Sequence, residues 1–223
     1  MTANRPALEN IGPYSFLYGP GQPITTDTLL LVDFVLQGLS DERGAVMDLG
    51  TGSGAIPLML AAGSAVKDIV GVEIMSGPFK EAEANVRRNG LSSRIKILQM
   101  DYRGLPQEYE EGSYTHVVCN PPYLRAGAAR VSPEEERAAA RTEIYGGLAE
   151  ILSVSRHLAG SSGGLYMVFP VRRLTELIIE LERAGLRPVR IKFVHSGRKK
   201  ECKIFLVEAR KSGPLRVEEP VFL

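Results

Sequence analysis

The 223-residue chain has two cysteines, three histidines and a formal net charge of only +1, and it lacks any long apolar run. Each shortage excludes something. Cys119 and Cys202 are too few for a disulfide framework, and neither has neighbours at the short spacing of a zinc site. His116, His157 and His195 are scattered, so no metal is expected. The N-terminus has no basic-then-apolar signal sequence. The longest apolar runs, such as 55–62, fall well short of the roughly 18 residues needed to span a bilayer. A cytoplasmic protein with no membrane partner is expected. The charge balance excludes a polycation that coats nucleic acid, so any such binding must come from a local patch. No repeat, low-complexity tract or Pro/Ser linker divides the chain.

What is present is organised around residues 45–54. Ala45, Val46 and Met47 lead into Asp48, and Gly50, Gly52 and Gly54 follow before a helix-like stretch at 55–62. This pattern predicts a buried first strand, a tight turn and a helix N-terminus, where glycine lets the backbone approach a ligand. The turn alone is ambiguous. Gly50-x-Gly52-x-x-Ala55 fits a dinucleotide fingerprint, and Asp-x-Gly-x-Gly-x-Gly fits a looser nucleotide-binding pattern.

The remaining elements follow from apolar periodicity and turn residues. Residues 1–24 read as an irregular arm or short hairpin, with Tyr14, Phe16 and Tyr18 closing a pocket or packing. Thr25-Thr26-Asp27 caps an apolar helix that ends at Gly38 and is expected to lie against a sheet. Strands are expected at 68–73, 95–98, 114–119, 165–169, 187–194 and 203–209. Helices are expected at 76–89, from a capping box at 132–135 to about 157, and at 171–184. Residues 103–113 read as a polar loop and 211–223 as an extended, weakly specified tail. The fold class is α/β: a doubly wound, mostly parallel seven-stranded sheet with a C-terminal antiparallel hairpin, forming one domain over 25–210.

Three strand ends carry candidate chemistry. Glu73, roughly 20 residues past the glycines, can accept both hydrogen bonds of a ribose diol. Asp101 can accept from the exocyclic amine of an adenine. Asp48, beneath the turn, can accept from loop N–H groups or face an ammonium, and a buried carboxylate there needs partners. The glycine turn cannot separate a dinucleotide from S-adenosylmethionine (SAM). Asn120-Pro121-Pro122-Tyr123, directly after the fourth strand, can. The prolines remove two N–H donors and leave carbonyls free to accept. The Asn120 side-chain oxygen and the carbonyl after Pro121 can take both hydrogens of a planar NH2 group, and Tyr123 offers a ring for a flat substrate.

Asp48-Leu-Gly-Thr-Gly-Ser-Gly54 followed by Asn120-Pro-Pro-Tyr123 resembles the SAM-dependent amino-methyltransferases, which modify adenine N6, guanine N2 or glutamine amides. Within them the chain is most similar to the bacterial valine-tRNA adenine-N6 methyltransferase group. Thr26-Asp27-Thr28-Leu29-Leu30, Ala140-Arg141-Thr142-Glu143 and the lack of a large extra domain carry that likeness over about residues 14–210. The Tyr14–Gln22 stretch departs from it. The resemblance implies SAM contacts at Thr26, Asp48, Gly50, Thr51, Gly52, Gly54, Glu73, Ile74, Asp101, Tyr102 and Asn120, and catalysis by Asn120, Pro121, Pro122 and Tyr123.

The implied partner is RNA, a tRNA first and ribosomal RNA as an alternative. Arg187, Arg190, Lys192, Arg198, Lys199, Lys200 and Lys203 crowd the last hairpin against Glu201, and Arg125 and Arg130 flank the Asn-Pro-Pro-Tyr loop. Methylation of a protein glutamine is a rival. It usually comes with a separate N-terminal substrate domain, for which few residues precede Thr25. A nicotinamide oxidoreductase and an RNA-binding scaffold without turnover are rivals from other classes.

Overall fold

Runs of Val, Ile and Leu bounded by Gly, Asn and Asp become strands, and the capped apolar stretches between them become helices. The computed structural model describes residues 7–11, 13–18, 24–39, 44–121 and 147–223, and the chain divides into two units, 1–104 and 105–223. Three of the seven expected strands fall in the first unit and four in the second.

In the first unit, β1 (Ala7–Ile11) and β2 (Tyr14–Tyr18) form an antiparallel hairpin. Helix α1 (Thr26–Gly38) starts at Thr25, whose hydroxyl accepts from the Thr28 N–H. Strand β3 (Ala45–Leu49), helix α2 (Ala55–Gly63), strand β4 (Asp68–Glu73), helix α3 (Ser76–Arg88) and strand β5 (Ile95–Gln99) follow. β4 pairs in parallel with β3 on one side and β5 on the other, and is buried along nearly its whole length. That is why β3 and β4 read as continuous apolar runs rather than alternating ones. Within this unit α1 packs on α2: a side chain at Gly63 would strike Leu36 of α1 at 2.5 Å. The arm is therefore a hairpin, and Phe16 at its centre is 1% exposed.

In the second unit, α4 (Leu105–Glu108) follows a single 3-10 turn at Tyr102–Gly104. This corrects the expected polar loop: Leu105 is fully buried and Pro106 suits a first helical turn. Strand β6 (Tyr114–Cys119), helix α5 (Leu148–Leu158) and strand β7 (Ala159–Pro170) come next. β7 begins six residues earlier than its apolar run, because Gly160, Gly163 and Gly164 accept close backbone neighbours there. Helix α6 (Leu174–Arg183) ends at Gly185, with φ +70°, and β8 (Arg187–His195) and β9 (Cys202–Arg210) complete the unit. β6 and β7 are parallel, while β9 is antiparallel to both β7 and β8. The tail is better specified than expected. β10 (Arg216–Val217) and β11 (Val221–Phe222) each add in parallel to β8. The expected capping box at 132–135 lies outside the described residues. No helix among the described residues is long and apolar enough to cross a membrane.

Candidate functional site

The glycine turn between β3 and α2 depends on left-handed backbone. Gly50, Gly52 and Gly54 have φ of +75°, +58° and +87°, which costs any other L-residue energy. At Gly54 space is also short, since a Cβ would lie 3.2 Å from that of Ala82 in α3. The Gly50 and Thr51 N–H groups both donate to the Val72 carbonyl at 2.9 Å, anchoring the turn to the end of β4. Glu73 does the rest. One carboxylate oxygen accepts from the Gly52 N–H at 3.0 Å, the other from the Met75 N–H at 2.8 Å. Glu73 thus ties the turn to the start of α3.

Asp48 lies under this turn with no exposed surface, and neither of its carboxylate oxygens has a hydrogen-bond partner among the described residues. Burial pushes its carboxyl up to about 7; the nearby Thr51 hydroxyl opposes this and the charge of Glu73 adds to it. Thr51 is buried, and its hydroxyl is also without a partner among the described residues. Space for it comes from Gly71 in β4, where a Cβ would sit 2.8 Å from the Thr51 oxygen. Two orphaned buried polar groups, one in the glycine turn and one beneath it, suit a ligand with a cationic group.

At the end of β5, the Met100 N–H donates to the Glu73 carbonyl at 3.2 Å, which holds residue 101 beside residue 73. Asp101 is clasped by Arg103: the guanidinium Nε lies 2.9–3.0 Å from both oxygens, and the Arg103 N–H donates at 2.9 Å. The Arg103 side chain holds this carboxyl below the usual carboxylate range, against the opposing effect of partial burial. Ile74 and Tyr102 are half-buried and Thr26 is exposed as the first residue of α1.

Sequence reasoning missed Asn85. It is fully buried in α3, where its amide nitrogen donates to the carbonyls of Leu17 (2.6 Å) and Ser53 (2.9 Å), and its oxygen accepts from the Leu17 N–H at 2.8 Å. One side chain therefore fastens the hairpin and the end of the glycine turn to α3. Asn89, one turn on, exchanges a second pair of bonds with Ser15. The available signal was a pair of asparagines spaced i, i+4 where the helix face should be apolar.

In the second unit, Asn120 and Pro121 leave the end of β6, Asn120 half-buried and Pro121 buried. Pro122, Tyr123, Arg125 and Arg130 lie outside the described residues. Arg198, Lys199 and Lys200 are exposed in the turn between β8 and β9. Arg190 and Lys192, however, do not belong to a free basic rim. Arg190 is buried, with Glu208 at 3.2 Å and Glu218 at 2.8 Å, and Lys192 lies 3.0 Å from Glu218. The carboxylates that pair with them stand on β9 and the tail, 18 or more positions away in sequence. Among the described residues no group of His, Cys, Asp or Glu is arranged to hold a metal ion.

The family model described as "Methyltransferase small domain" matches residues 26–144. The chain is 28% identical to a tRNA1(Val) (adenine(37)-N6)-methyltransferase of Photobacterium profundum, over 87% of this chain and 80% of that one. It is 32% identical to a release factor glutamine methyltransferase of Rhodospirillum rubrum, over 85% of this chain and 58% of that one. Among solved structures, an Agrobacterium tumefaciens protein described as a predicted O-methyltransferase shares the fold, with a TM-score of 0.67 at 20% identity, over 88% of this chain and 87% of that one. M. jannaschii TYW2 in complex with AdoMet superposes with a TM-score of 0.61 at 11% identity, over 95% and 89%.

Proposed function

The chain belongs to the methyltransferase small domain family, and on that premise we propose that it transfers a methyl group from SAM to an exocyclic amine of an RNA base, adenine N6 in a tRNA. SAM supplies a methyl carbon made electrophilic by its sulfonium. The orphaned Asp48 carboxylate fits the cofactor's ammonium group, Glu73 its ribose diol, and the glycine turn its close approach to backbone. Asp101 serves the adenine amine. The single observation that carries the choice of acceptor is the Asn120-Pro121 pair at the exit of β6.

The Asn120 side-chain oxygen and the Pro121 carbonyl accept the two hydrogens of the acceptor amine, which localises the nitrogen lone pair. That lone pair attacks the methyl carbon, the N–C bond forms as the S–C bond breaks, and S-adenosylhomocysteine leaves. The amine's extra proton passes to water after transfer, so no general base is obligatory. Orientation supplies most of the acceleration. On this reading Pro122 and Tyr123 also serve the acceptor base, Arg125 and Arg130 serve the RNA, and the protein works in the cytoplasm. The likeness to release factor glutamine methyltransferases supports a second reading, with a protein glutamine amide as acceptor.

Incubation with labelled SAM and either total RNA or total protein, followed by nucleoside analysis, decides between them. N6-methyladenosine in the tRNA fraction is expected; label in protein alone overturns the RNA reading. Asn120→Ala is expected to bind SAM nearly as the wild type does while turning over at least tenfold more slowly, on the order of 1.4 kcal/mol in barrier. Unchanged turnover would remove Asn120 from the mechanism.

A further inference from the structure

Among the described residues, one aromatic ring of the Phe and Tyr set is exposed: Phe222, with 46% of its surface open. Burial is the default for such rings, so its position needs a reason. The tail places it by backbone pairing. Val221 and Phe222 add in parallel to Val194 and His195, and the Leu223 N–H donates to the His195 carbonyl at 3.0 Å. The Phe222 ring then lies beside the basic turn, with the His195 ring centroid at 5.3 Å and the Arg198 guanidinium carbon 5.8 Å from its own centroid.

The turn is itself held in shape. The Lys200 N–H donates to the Gly197 carbonyl at 3.0 Å, and His195 Nδ1–H donates to the Lys200 carbonyl at 3.0 Å. Arg198, Lys199 and Lys200 are all exposed, and no described carboxylate pairs with any of them. In that they differ from Arg190, Lys192, Arg210 and Arg216, each of which is paired with Glu208 or Glu218. Three exposed cations without a described carboxylate partner thus stand in the turn beside the one exposed Phe or Tyr ring among the described residues.

We propose that Phe222 and the turn at 196–201 form a contact for single-stranded RNA, with a base stacked on Phe222 and backbone phosphates held by Arg198, Lys199 and Lys200. The proposal rests on the RNA reading above and adds to it a residue supplied by the tail. A flat ring with cations around it is the combination that single-strand binders use, because every base has a face to stack and every nucleotide a phosphate. A second copy of the chain is a poor occupant. A two-fold contact through this patch would bring its cations against their own counterparts.

The full chain is titrated with a labelled single-stranded RNA of about ten nucleotides and with tRNA, followed by anisotropy at several salt concentrations. Phe222→Ala is expected to weaken binding of the single strand at least tenfold, and Phe222→Tyr to restore it. Phe222→Leu, which keeps apolar packing on the tail without a flat face, is expected to bind as weakly as the alanine variant. Lys199→Glu with Lys200→Glu is expected to weaken binding and to flatten the salt dependence by about 0.7 per cation removed. SAM affinity should be unchanged in every variant.

If the wild type binds and methylates RNA while Phe222→Ala and Phe222→Leu bind it equally well, the contact is disproved and the RNA reading stands. If the wild type neither binds nor methylates RNA, the RNA reading fails, and this contact with it. A dimer in sedimentation that Phe222→Ala dissociates would assign the ring to self-association instead.

Discussion

Asp48 is a carboxylate with no exposed surface and no described hydrogen-bond partner, placed beneath a turn that sequence reasoning marked as the centre of the chain. Its carboxyl, raised to about 7 chiefly by burial, binds a proton in the folded state that the unfolded chain releases near pH 4. Between those values the folded state holds more protons, so this residue lowers stability as pH rises from about 4 to 7. The cost at neutral pH is of the order of a few kcal/mol. Asp48→Asn removes the titration. Its stability relative to the wild type, from denaturant melts at pH 5 and pH 8, is expected to improve at the higher pH; an equal difference at both would show that Asp48 does not titrate in this range. The variant should also bind SAM more weakly, since the amide cannot balance an ammonium. The persistence of a destabilising group at this position is what a ligand-binding role would produce.

At the scale of elements, two single residues fasten pieces that hydrophobic pattern alone leaves loose. Asn85 joins the β1–β2 hairpin to α3 and to the carbonyl of Ser53 in the glycine turn. Asn85→Ala strands three backbone groups in a buried place and is expected to destabilise by about 2–4 kcal/mol. Faster hydrogen exchange at the Leu17 N–H and a lower SAM affinity should accompany it, and loss of stability with exchange at Leu17 unchanged would refute the fastening role. Glu218 does the same for the tail. Its N–H donates to the Ile191 carbonyl at 2.8 Å, and its carboxylate meets Arg190, Lys192 and Arg216. Partial burial would raise its carboxyl, but Lys192 and the two arginines outweigh that and hold it below the usual range. A depressed carboxylate stabilises above its unfolded value and loses that contribution as pH falls through the folded one. The tail should therefore detach on acidification below about pH 4. Glu218→Gln should loosen it at neutral pH, measured as exchange at the Glu218 and Leu223 N–H groups; equal protection in both proteins would count against the ion pairs.

At the scale of the whole molecule, the described charges of the second unit differ in setting: buried Arg190 and Glu208 are paired, and the cations of the β8–β9 turn stand exposed. Arg190, Lys192, Arg210 and Arg216 are each paired with Glu208 or Glu218 in the second unit. Arg198, Lys199, Lys200 and Lys203 remain exposed. The salt dependence of RNA binding should be correspondingly shallow, with a slope of magnitude below about 5 in log affinity against log salt. A steeper slope would mean that cations outside this turn dominate the contact. No helix among the described residues is long and apolar enough to cross a membrane.

The amino-acid order by itself determined the alternation of strands and helices, the glycine turn and the acid that ends β4. Each of these is a local matter: a 2- or 3.6-residue period, a φ that only glycine adopts easily, or a strand end set by its neighbours. The seven strands accordingly lie where their apolar runs predicted. The short helix at Leu105–Glu108, the early start of β7 and the pairing of the tail were decided by tertiary structure, because each depends on a partner distant in the chain. So were the burial of Asp48, the fastening by Asn85 and the neutralisation of Arg190 and Lys192. A sequence counts charges and polar groups, but only folding brings each one to the carboxylate, carbonyl or empty space that sets its energy.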